Sequence, residues 1–575
     1  MRVEQQGSWR RWTARVFVCA SALLLCGQSA NAIKVPPGMD HCPSLQACMK
    51  LLDTVVPAED DGEGSNAKTI ARDLARFGEP AKHELLNRAV GPHAGWQNVA
   101  GAILGEWKSW SPSDVPKLRE ALRKQPGGWV ARPLGQIGTP EAIQALIEDL
   151  PKGSEGQTGF VLSHLGPRVI PLLFPLLENP EQAQAATSVI REIGKPALRF
   201  ADEWVALASD VQKPLKIRLA ALRGLAAIGP QAGPLSVKLD SLLTDADPAI
   251  RAEAKTTFRA VRNPAIVSDL ARSCQPSASE FDPLAFESYM CLREIASYGE
   301  GAHDAAQLLV PFLNSKNAAE RADATTVFGM AGYKPAVPQI EEELGAKDWR
   351  LVYATIRALG WLGDKAAASK IEAVSAAFWL PEVRELGAKT VAALRARRGT
   401  LYRPSAASMD LAEGPFEITQ SILGQVAACP GHRWQWNDKA FILSENSGKN
   451  SHSTPLWGGT LTGTDHGEFM GELSWVKEPG KPVSILKDNV RALATTVDGE
   501  AIAMFGLAHM GFNYGYVLRV ERTPGETFNL SEVTQLPAEG GGMVSLGPDL
   551  FAVETARRAV VFSSTRGILG LAKCR

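Results

Sequence analysis

Three short stretches carry residue types that could do chemistry, and each falls short of the pattern it approaches. Gly62 to Thr69 reads GEGSNAKT, one residue away from the phosphate-cradling pattern Gly-x4-Gly-Lys-Thr. Ala67 stands where the second glycine is needed, and the acidic Glu59-Asp60-Asp61 just before it would repel a polyphosphate. The stretch therefore reads as a loop before a helix capped by Ser65 or Asn66. Ser484-Ile485-Leu486-Lys487 matches the Ser-x-x-Lys of penicillin-recognising enzymes, where the motif opens a helix and needs partner motifs. Here it sits in a β-like run, Val483 to Leu486, and no Lys-Thr-Gly accompanies it. His83-Glu84 lacks a second histidine at helical spacing, and no Gly-x-Ser-x-Gly occurs. The expectation is a chain with no catalytic residue, no metal and no cofactor.

Two further sets of residues have chemistry of another kind. Beyond residue 32 the chain holds six cysteines, Cys42, Cys48, Cys274, Cys291, Cys429 and Cys574. An even number in an oxidising compartment reads as three bridges. Their clustering favours Cys42–Cys48, Cys274–Cys291 and Cys429–Cys574; neither Cys-x-x-Cys spacing nor a nearby histidine pair supports a metal site. The second set is aromatic: Trp434, Trp436, Trp457, Trp475, Phe512, Tyr514 and Tyr516. Exposed rings stack on sugars and anchor interfaces. Trp434 with Trp436, and Phe512 with Tyr514 and Tyr516, share a face if extended. Trp434, Trp436, Trp457, Phe512, Tyr514 and Tyr516 are the candidate binding residues, with core packing as the competing reading.

The elements that must position these residues begin after a leader. Arg2, Arg10, Arg11 and Arg15 precede the apolar run Val16 to Cys26, and Ala30-Asn31-Ala32 offers small residues to a signal peptidase. That run spans about 17 Å as a helix, against about 30 Å of bilayer hydrocarbon. Residues 1–32 are thus expected to be a cleaved signal peptide, leaving a periplasmic or secreted chain with no membrane span. At 575 residues the chain is too long for one core. A net charge of −1 gives no basic stripe for nucleic acid.

A repeat then organises more than half of the sequence. Two apolar residues three apart, followed by Gly, recur at Gly78, Gly138, Gly166, Gly194, Gly229, Gly299, Gly332 and Gly363. Weaker copies lie at Gly105 and at Phe258–Val261, where Asn263 follows in place of Gly; the spacing is 27 to 37 residues. The apolar pair shares one helical face, and glycine ends the helix cheaply in the left-handed region. Pro80, Pro140, Pro167, Pro196, Pro230 and Pro335 then suit the start of the next helix. Such hairpins bury their apolar faces only by stacking.

The segment LLTDADPAIRAEAKTTFRAV, Leu242 to Val261, resembles a HEAT repeat of the short kind also found in phycobilin-lyase proteins, and IRLAALRGLAAIGPQA from Ile217 looks like another copy. The resemblance covers roughly Ala67 to Arg398 and implies a superhelical solenoid that serves as a binding scaffold. It is silent on the partner. Asp247 and Arg251 of the Asp-Pro turn are expected to pair within the solenoid. The longer polar connection between Asn263 and Gly299, with Cys274 and Cys291, reads either as a binding loop or as a stapled insertion.

After Arg398 the helical period stops. Leu401 to Pro415 reads as a linker, and alternating runs around Asp498-Gly499 signal hairpins. The region holds about three propeller blades at usual length, fewer than a propeller needs. A compact antiparallel sandwich or barrel is therefore preferred, with a partial-propeller-like arrangement second. ILG strands ending at Cys429 and Cys574 suggest closure end to end. The expected organisation is a signal peptide at 1–32, a disulfide-bearing segment at 33–66, the HEAT-like α-solenoid at 67–400, a linker at 401–414 and the β domain at 415–575. The leading functional reading is an exported, non-enzymatic scaffold for a protein partner, such as an inhibitor or immunity-type binder of a secreted effector. A glycan- or cell-wall-binding protein using the aromatics is second, and a lyase-like enzyme by analogy with the repeat family is third.

Overall fold

A computed structural model of the chain describes residues 35–56, 66–153, 156–277, 286–397, 399–403, 427–443, 451–477, 479–509 and 512–575. Residues 1–34, with the expected signal peptide, most of the expected linker, the ILG stretch before Cys429 and the side chain of Phe512 lie outside the described residues. Helices occupy the chain up to Arg395, and antiparallel strands occupy it from Arg433 onward. The chain divides into two compact units, residues 1–263 and 264–575.

In the first unit the eye of the repeat is the glycine. Gly78, Gly138, Gly166, Gly194 and Gly229 take φ between 60° and 76°, where a Cβ would cost about 1–2 kcal/mol. Proline follows, but Pro167, Pro196 and Pro230 open short 3-10 turns that lead into the next helix rather than opening it directly. The two weak copies depart from the rule. Gly105 is not a turn residue: a Cβ there would lie 3.1 Å from the carbonyl oxygen of Trp129, so this glycine serves close packing. At the other weak copy the left-handed residue is Arg262 (φ 59°), while Asn263 is buried and donates to Asp240 at 2.8 Å. Side chains stitch neighbouring hairpins together. Lys82 pairs with Asp114 at 3.0 Å, Arg132 with Glu106 at 2.7 Å and Arg223 with Glu253 at 3.2 Å. In the Asp-Pro turn, Asp247 accepts from the amide of Ala249 as a helix cap, and Arg251 donates to the carbonyls of Asp245 and Ala246. Cys42 and Cys48 are bonded, and Arg76 donates to the carbonyl of Cys42 at 2.8 Å.

The second unit opens with four helices that matter below: α1 (Phe286–Ala296), α2 (Ala318–Ala331), α3 (Trp349–Leu362) and α4 (Pro381–Arg395). Gly299, Gly332 and Gly363 end the first three, with φ of 55°, 68° and 70°. Asn317 and Asp348 cap α2 and α3. The Cys274–Cys291 bond staples the polar insertion before α1. Buried Glu320 holds the insertion's two ends, accepting from the amide of Ser277 at 2.7 Å and from the hydroxyl of Ser288, and it also accepts from Ser315 at 2.6 Å.

The strands form four small sheets in the same unit. In chain order they are β1 (Arg433–Trp436), β2 (Lys439–Ile442), β3 (Ser451–Leu456), β4 (Gly459–Thr464), β5 (Leu473–Val476), β6 (Val483–Leu486), β7 (Val490–Thr495), β8 (Ala501–His509), β9 (Phe512–Thr523), β10 (Thr527–Leu536), β11 (Gly540–Gly547), β12 (Leu550–Thr555), β13 (Arg558–Ser563), β14 (Gly567–Leu571) and β15 (Lys573–Cys574). Three sheets are simple meanders, β3 to β6, β7 to β10 and β11 to β14. The fourth joins both ends of the domain in the order β15-β1-β2, with Trp434 opposite Cys574 and the Cys429–Cys574 bond beside the pair.

The sheets pack face to face in series. Trp475 and Phe505 lie in the first interlayer core, Met504 and Phe562 in the second, Trp434 and Val561 in the third. This blade-like series corresponds to the second expectation, the partial-propeller-like arrangement, rather than to the preferred single sandwich or barrel. Four sheets fit because strands such as β1, β2, β5 and β6 have only four residues. Ser484 to Leu486 lie in strand β6, so the Ser-x-x-Lys match opens no helix. The β domain meets α4 through Arg558 and Glu382, bonded at 2.8 Å and 2.5 Å through both oxygens.

Candidate functional site

The aromatic candidates are placed mostly in the core. Trp434 is 4% exposed, and its ring lies in the third interlayer core with half-buried Trp436 against the same cluster. Gly570 gives Trp436 room, since a Cβ there would lie 2.9 Å from its ring. Tyr514 and Tyr516 are buried, and their hydroxyls donate to the two oxygens of buried Asp488 at 2.8 Å and 2.7 Å. Tyr516 also stacks on Phe505, with ring centroids 5.0 Å apart. Trp457 is half-buried against Phe528 and donates its indole N–H to the carbonyl of Gly499 at 2.8 Å. Trp434, Tyr514 and Tyr516 therefore have no ring face open for stacking on a sugar. The fold divides the set: Trp457, Trp475, Tyr514 and Tyr516 join one core, Trp434 and Trp436 another.

A second group, which the sequence reading did not single out, lies on α1, α2 and α3. Counting back from Gly299, Gly332 and Gly363, the sixth residue is Arg293, Thr326 and Arg357, and the tenth is Tyr289, Ala322 and Tyr353. Repeat stacking thus puts Arg293, Thr326 and Arg357 in one row. Each arginine lies over the tyrosine four residues earlier, at 5.6 Å from the ring centroid in both cases. Arg357 also lies 4.9 Å from the Trp361 ring and donates to Thr326 at 3.2 Å.

Asp323 of α2 sits among these cations. It is half-buried, and the charged groups of α1, α2 and α3 crowd its carboxyl. Burial pushes its carboxyl up to about 8, with Glu320 adding to the rise and Arg350, Arg293 and Arg357 opposing it. Burial pushes Arg357 down to about 10. Arg350 behaves differently: burial opposes its charge, but Asp348, bonded at 2.9 Å, leads the acids that raise it. A protonated carboxyl among guanidinium groups can donate a hydrogen bond at neutral pH, although structural ion-pair networks perturb carboxyls in the same way.

The third feature is an extended strap. The segment Gly399 to Arg403 runs across the C-terminal ends of α3 and then α2. The amide of Leu401 donates to the carbonyl of Gly360 at 2.8 Å, and the indole of Trp361 donates to the carbonyl of Tyr402 at 2.9 Å. Arg403 donates to the carbonyl of Gly329 at 3.1 Å and pairs with Glu300. A cavity of about 480 Å³ lies beside it, lined by Glu300, His303, Lys334, Trp361 and Thr400 among others. The sequence signal for this strap is the doubled glycine in FGMAG and LGWLG. A Cβ at Gly360 would meet Leu401 at 3.0 Å, and one at Gly363 would meet Thr400 at 2.7 Å. Residues 401–403, read from sequence as the start of a linker, are thus held by the helices.

Among the described residues, no group of three His, Cys, Asp or Glu side chains is placed to hold a metal ion. Among them, too, no single helix is long and apolar enough to cross a membrane; one bent pair, Gln157–His164 with Gly166–Glu178, passes by length and composition alone. No family model matches the sequence, and no curated protein matches it. Similar solved structures include an engineered protein, 17% identical, with 58% of this chain and 99% of that chain covered at a TM-score of 0.27. Another is human deoxyhypusine hydroxylase in complex with glycerol, 17% identical, with 56% and 97% covered at a TM-score of 0.18. At these TM-scores neither likeness carries an argument about function.

Proposed function

We propose that this chain is an exported, non-enzymatic scaffold that binds a protein partner on its helical repeats, in the manner of an inhibitor or immunity-type protein holding a secreted effector. The observation that supports it best is the strap. An extended peptide, the chain's own, lies along the repeat edge and donates to the helix C-terminal carbonyls of Gly360 and Gly329, the second of which also accepts from the amide of Gly332 at 3.3 Å. A surface that takes one extended segment in this way suits another. Export is supported by the charged and apolar leader and by three disulfides, which fit an oxidising compartment. The burial of Trp434, Tyr514 and Tyr516 removes most of the support for a glycan platform.

The test is retention of a partner from an envelope fraction by the immobilised full chain and by three variants. Glu300→Lys and Lys334→Glu reverse charges on the repeat edge; Phe469→Ala removes an exposed ring of the β domain. A protein retained by the parent and by Phe469→Ala, and released by both edge reversals, is the expected result. Retention that follows Phe469 instead, or retained material that is glycan, overturns the proposal.

A further inference from the structure

The outer face of the fourth sheet collects cations without counter-ions. Strand β1 lies in the middle, with β2 on one side and β15 on the other. Trp434 and Phe441 turn inward to the third interlayer core, and Cys574, opposite Trp434, is bonded to Cys429 there. Side chains alternate along a strand. Arg433 and Gln435 of β1, Ala440 and Ile442 of β2, and Lys573 and Arg575 at the end of the chain therefore stand on the opposite face. All six are exposed, Ile442 to 61%. The register sets them in two rows. Lys573 lies opposite Gln435, which lies opposite Ala440, and Arg433 lies opposite Ile442. The amide of Arg575 donates to the carbonyl of Arg433 at 3.0 Å, which continues the register and brings the two arginines side by side. Like charges directly opposite destabilise a sheet. Arg433, Lys573 and Arg575 form no ion pair among the described residues, and the sole acid in these strands and the β1–β2 turn is Asp438. A lysine on an edge strand discourages pairing with other chains, but Arg433 is in the central strand, where that account does not reach. The wider balance runs the same way. Residues 427–443 and 540–575, which hold the third and fourth sheets, carry seven Lys and Arg against three Asp and Glu, whereas residues 451–539, which hold the first two, carry six against eleven. The net charge of −1 for the whole chain conceals this division.

We propose that this face docks on the anionic headgroups of a membrane surface, with lipid phosphates taking Arg433, Arg575 and Lys573. Phosphate oxygens suit the planar fork of arginine, and an anion between Arg433 and Arg575 turns their mutual repulsion into a shared contact. The cations are spread over a sheet face rather than along a line, as a plane of headgroups requires. Ile442 ends the arginine row and adds an apolar contact at headgroup level. The contact is peripheral, electrostatic and salt-dependent. It goes beyond the scaffold reading: the repeats hold the partner, and the far end of the β domain holds the chain to a surface.

The experiment is co-sedimentation of the exported protein with vesicles of equal parts phosphatidylglycerol and phosphatidylcholine. Vesicles of phosphatidylcholine alone and soluble poly-glutamate are the other probes. The protein should sediment with the anionic vesicles, less so as salt rises, and not with the neutral ones. Arg433→Gln and Lys573→Gln should each lower the partition by about fivefold, the step expected for one cation at an anionic surface. Arg575→Glu separates binding from folding. It sets an acid opposite Arg433, so it should keep or raise the melting temperature of the β domain while removing most of the preference for anionic vesicles. Equal partition between the two vesicle types, or a partition that none of the three substitutions changes, overturns the inference. Tighter binding of poly-glutamate than of anionic vesicles through the same residues makes the face a site for an acidic polypeptide and also overturns it.

Discussion

Replacing Glu382 by Gln tests how the β domain is held to the helices. The Glu382 carboxylate takes both terminal nitrogens of Arg558, and the two side chains are 14% and 11% exposed. Removing one member of a fully buried pair costs about 3–5 kcal/mol, because the survivor loses its counter-charge. The residual exposure lets water reach Arg558 in the variant, which brings the expected loss down to about 2–3 kcal/mol. Glu382 also lies in the first turn of α4, where a negative charge is worth roughly 0.5 kcal/mol against the helix dipole. Replacing both members by apolar residues of similar volume, Glu382→Leu with Arg558→Met, removes the stranded charge and should cost less than either single change. The assay is urea unfolding of the full chain, read from the β-domain transition, as a double-mutant cycle. A loss below about 0.5 kcal/mol for Glu382→Gln would refute the reasoning. So would a double variant that loses the sum of the two single losses, since distant, independent sites are the ones that add.

Two other outcomes follow from the same structure. Cys574→Ser opens a loop spanning 145 positions and should destabilise the β domain by up to about 5 kcal/mol on the chain-entropy account, with non-reducing peptide mapping as the direct check on the bond. A loss under about 1 kcal/mol would count against the closure described above. Gly363→Ala forces a Cβ to within 2.7 Å of Thr400 at a φ of 70°, and should cost at least about 1–2 kcal/mol and loosen the strap. Hydrogen exchange at the amide of Leu401 should speed up; unchanged protection there with an unchanged melting temperature would show that the strap does not depend on this glycine.

The helical architecture was legible because its signal is local and repeated. Eight signature glycines, Gly78 to Gly363, all take positive φ, as a helix stop requires. The same rule misreads Gly105, because a glycine needed for close packing against Trp129 looks identical in sequence to one needed for a turn. The rule also misses Arg262, which adopts the left-handed region without being glycine, with buried Asn263 bonded to Asp240 just after it. The β domain was legible as strands but not as an arrangement. Four-residue strands carry too little alternation to be counted, and the pairing of β15 with β1 spans nearly the whole domain. The pairing of cysteines followed from clustering because each bridge is local to its own segment or closes a domain. The charged cluster on α1, α2 and α3 was illegible for a different reason. Arg293, Asp323 and Arg357 are far apart in sequence and ordinary as single residues; only the register of the repeats brings them together. The aromatics were conspicuous in sequence for their number, yet number does not separate rings that bind from rings that fill a core.

The fourth sheet also sets a clock. Strand β1 lies between β2 and β15, and its partner at Cys574 lies 140 positions beyond Trp434. At about 5–20 residues per second of synthesis, β1 and β2 wait on the order of ten seconds or more for the strand that completes their sheet. Through that interval β1 offers an open edge of unpaired N–H and C=O groups, and Cys429 is a free thiol beside it. The edge and the thiol are closed by the same event, the arrival of β15. Until then the chain is best kept from its own copies by whatever escorts it, and a delay in oxidation is at the same time a delay in sheet assembly.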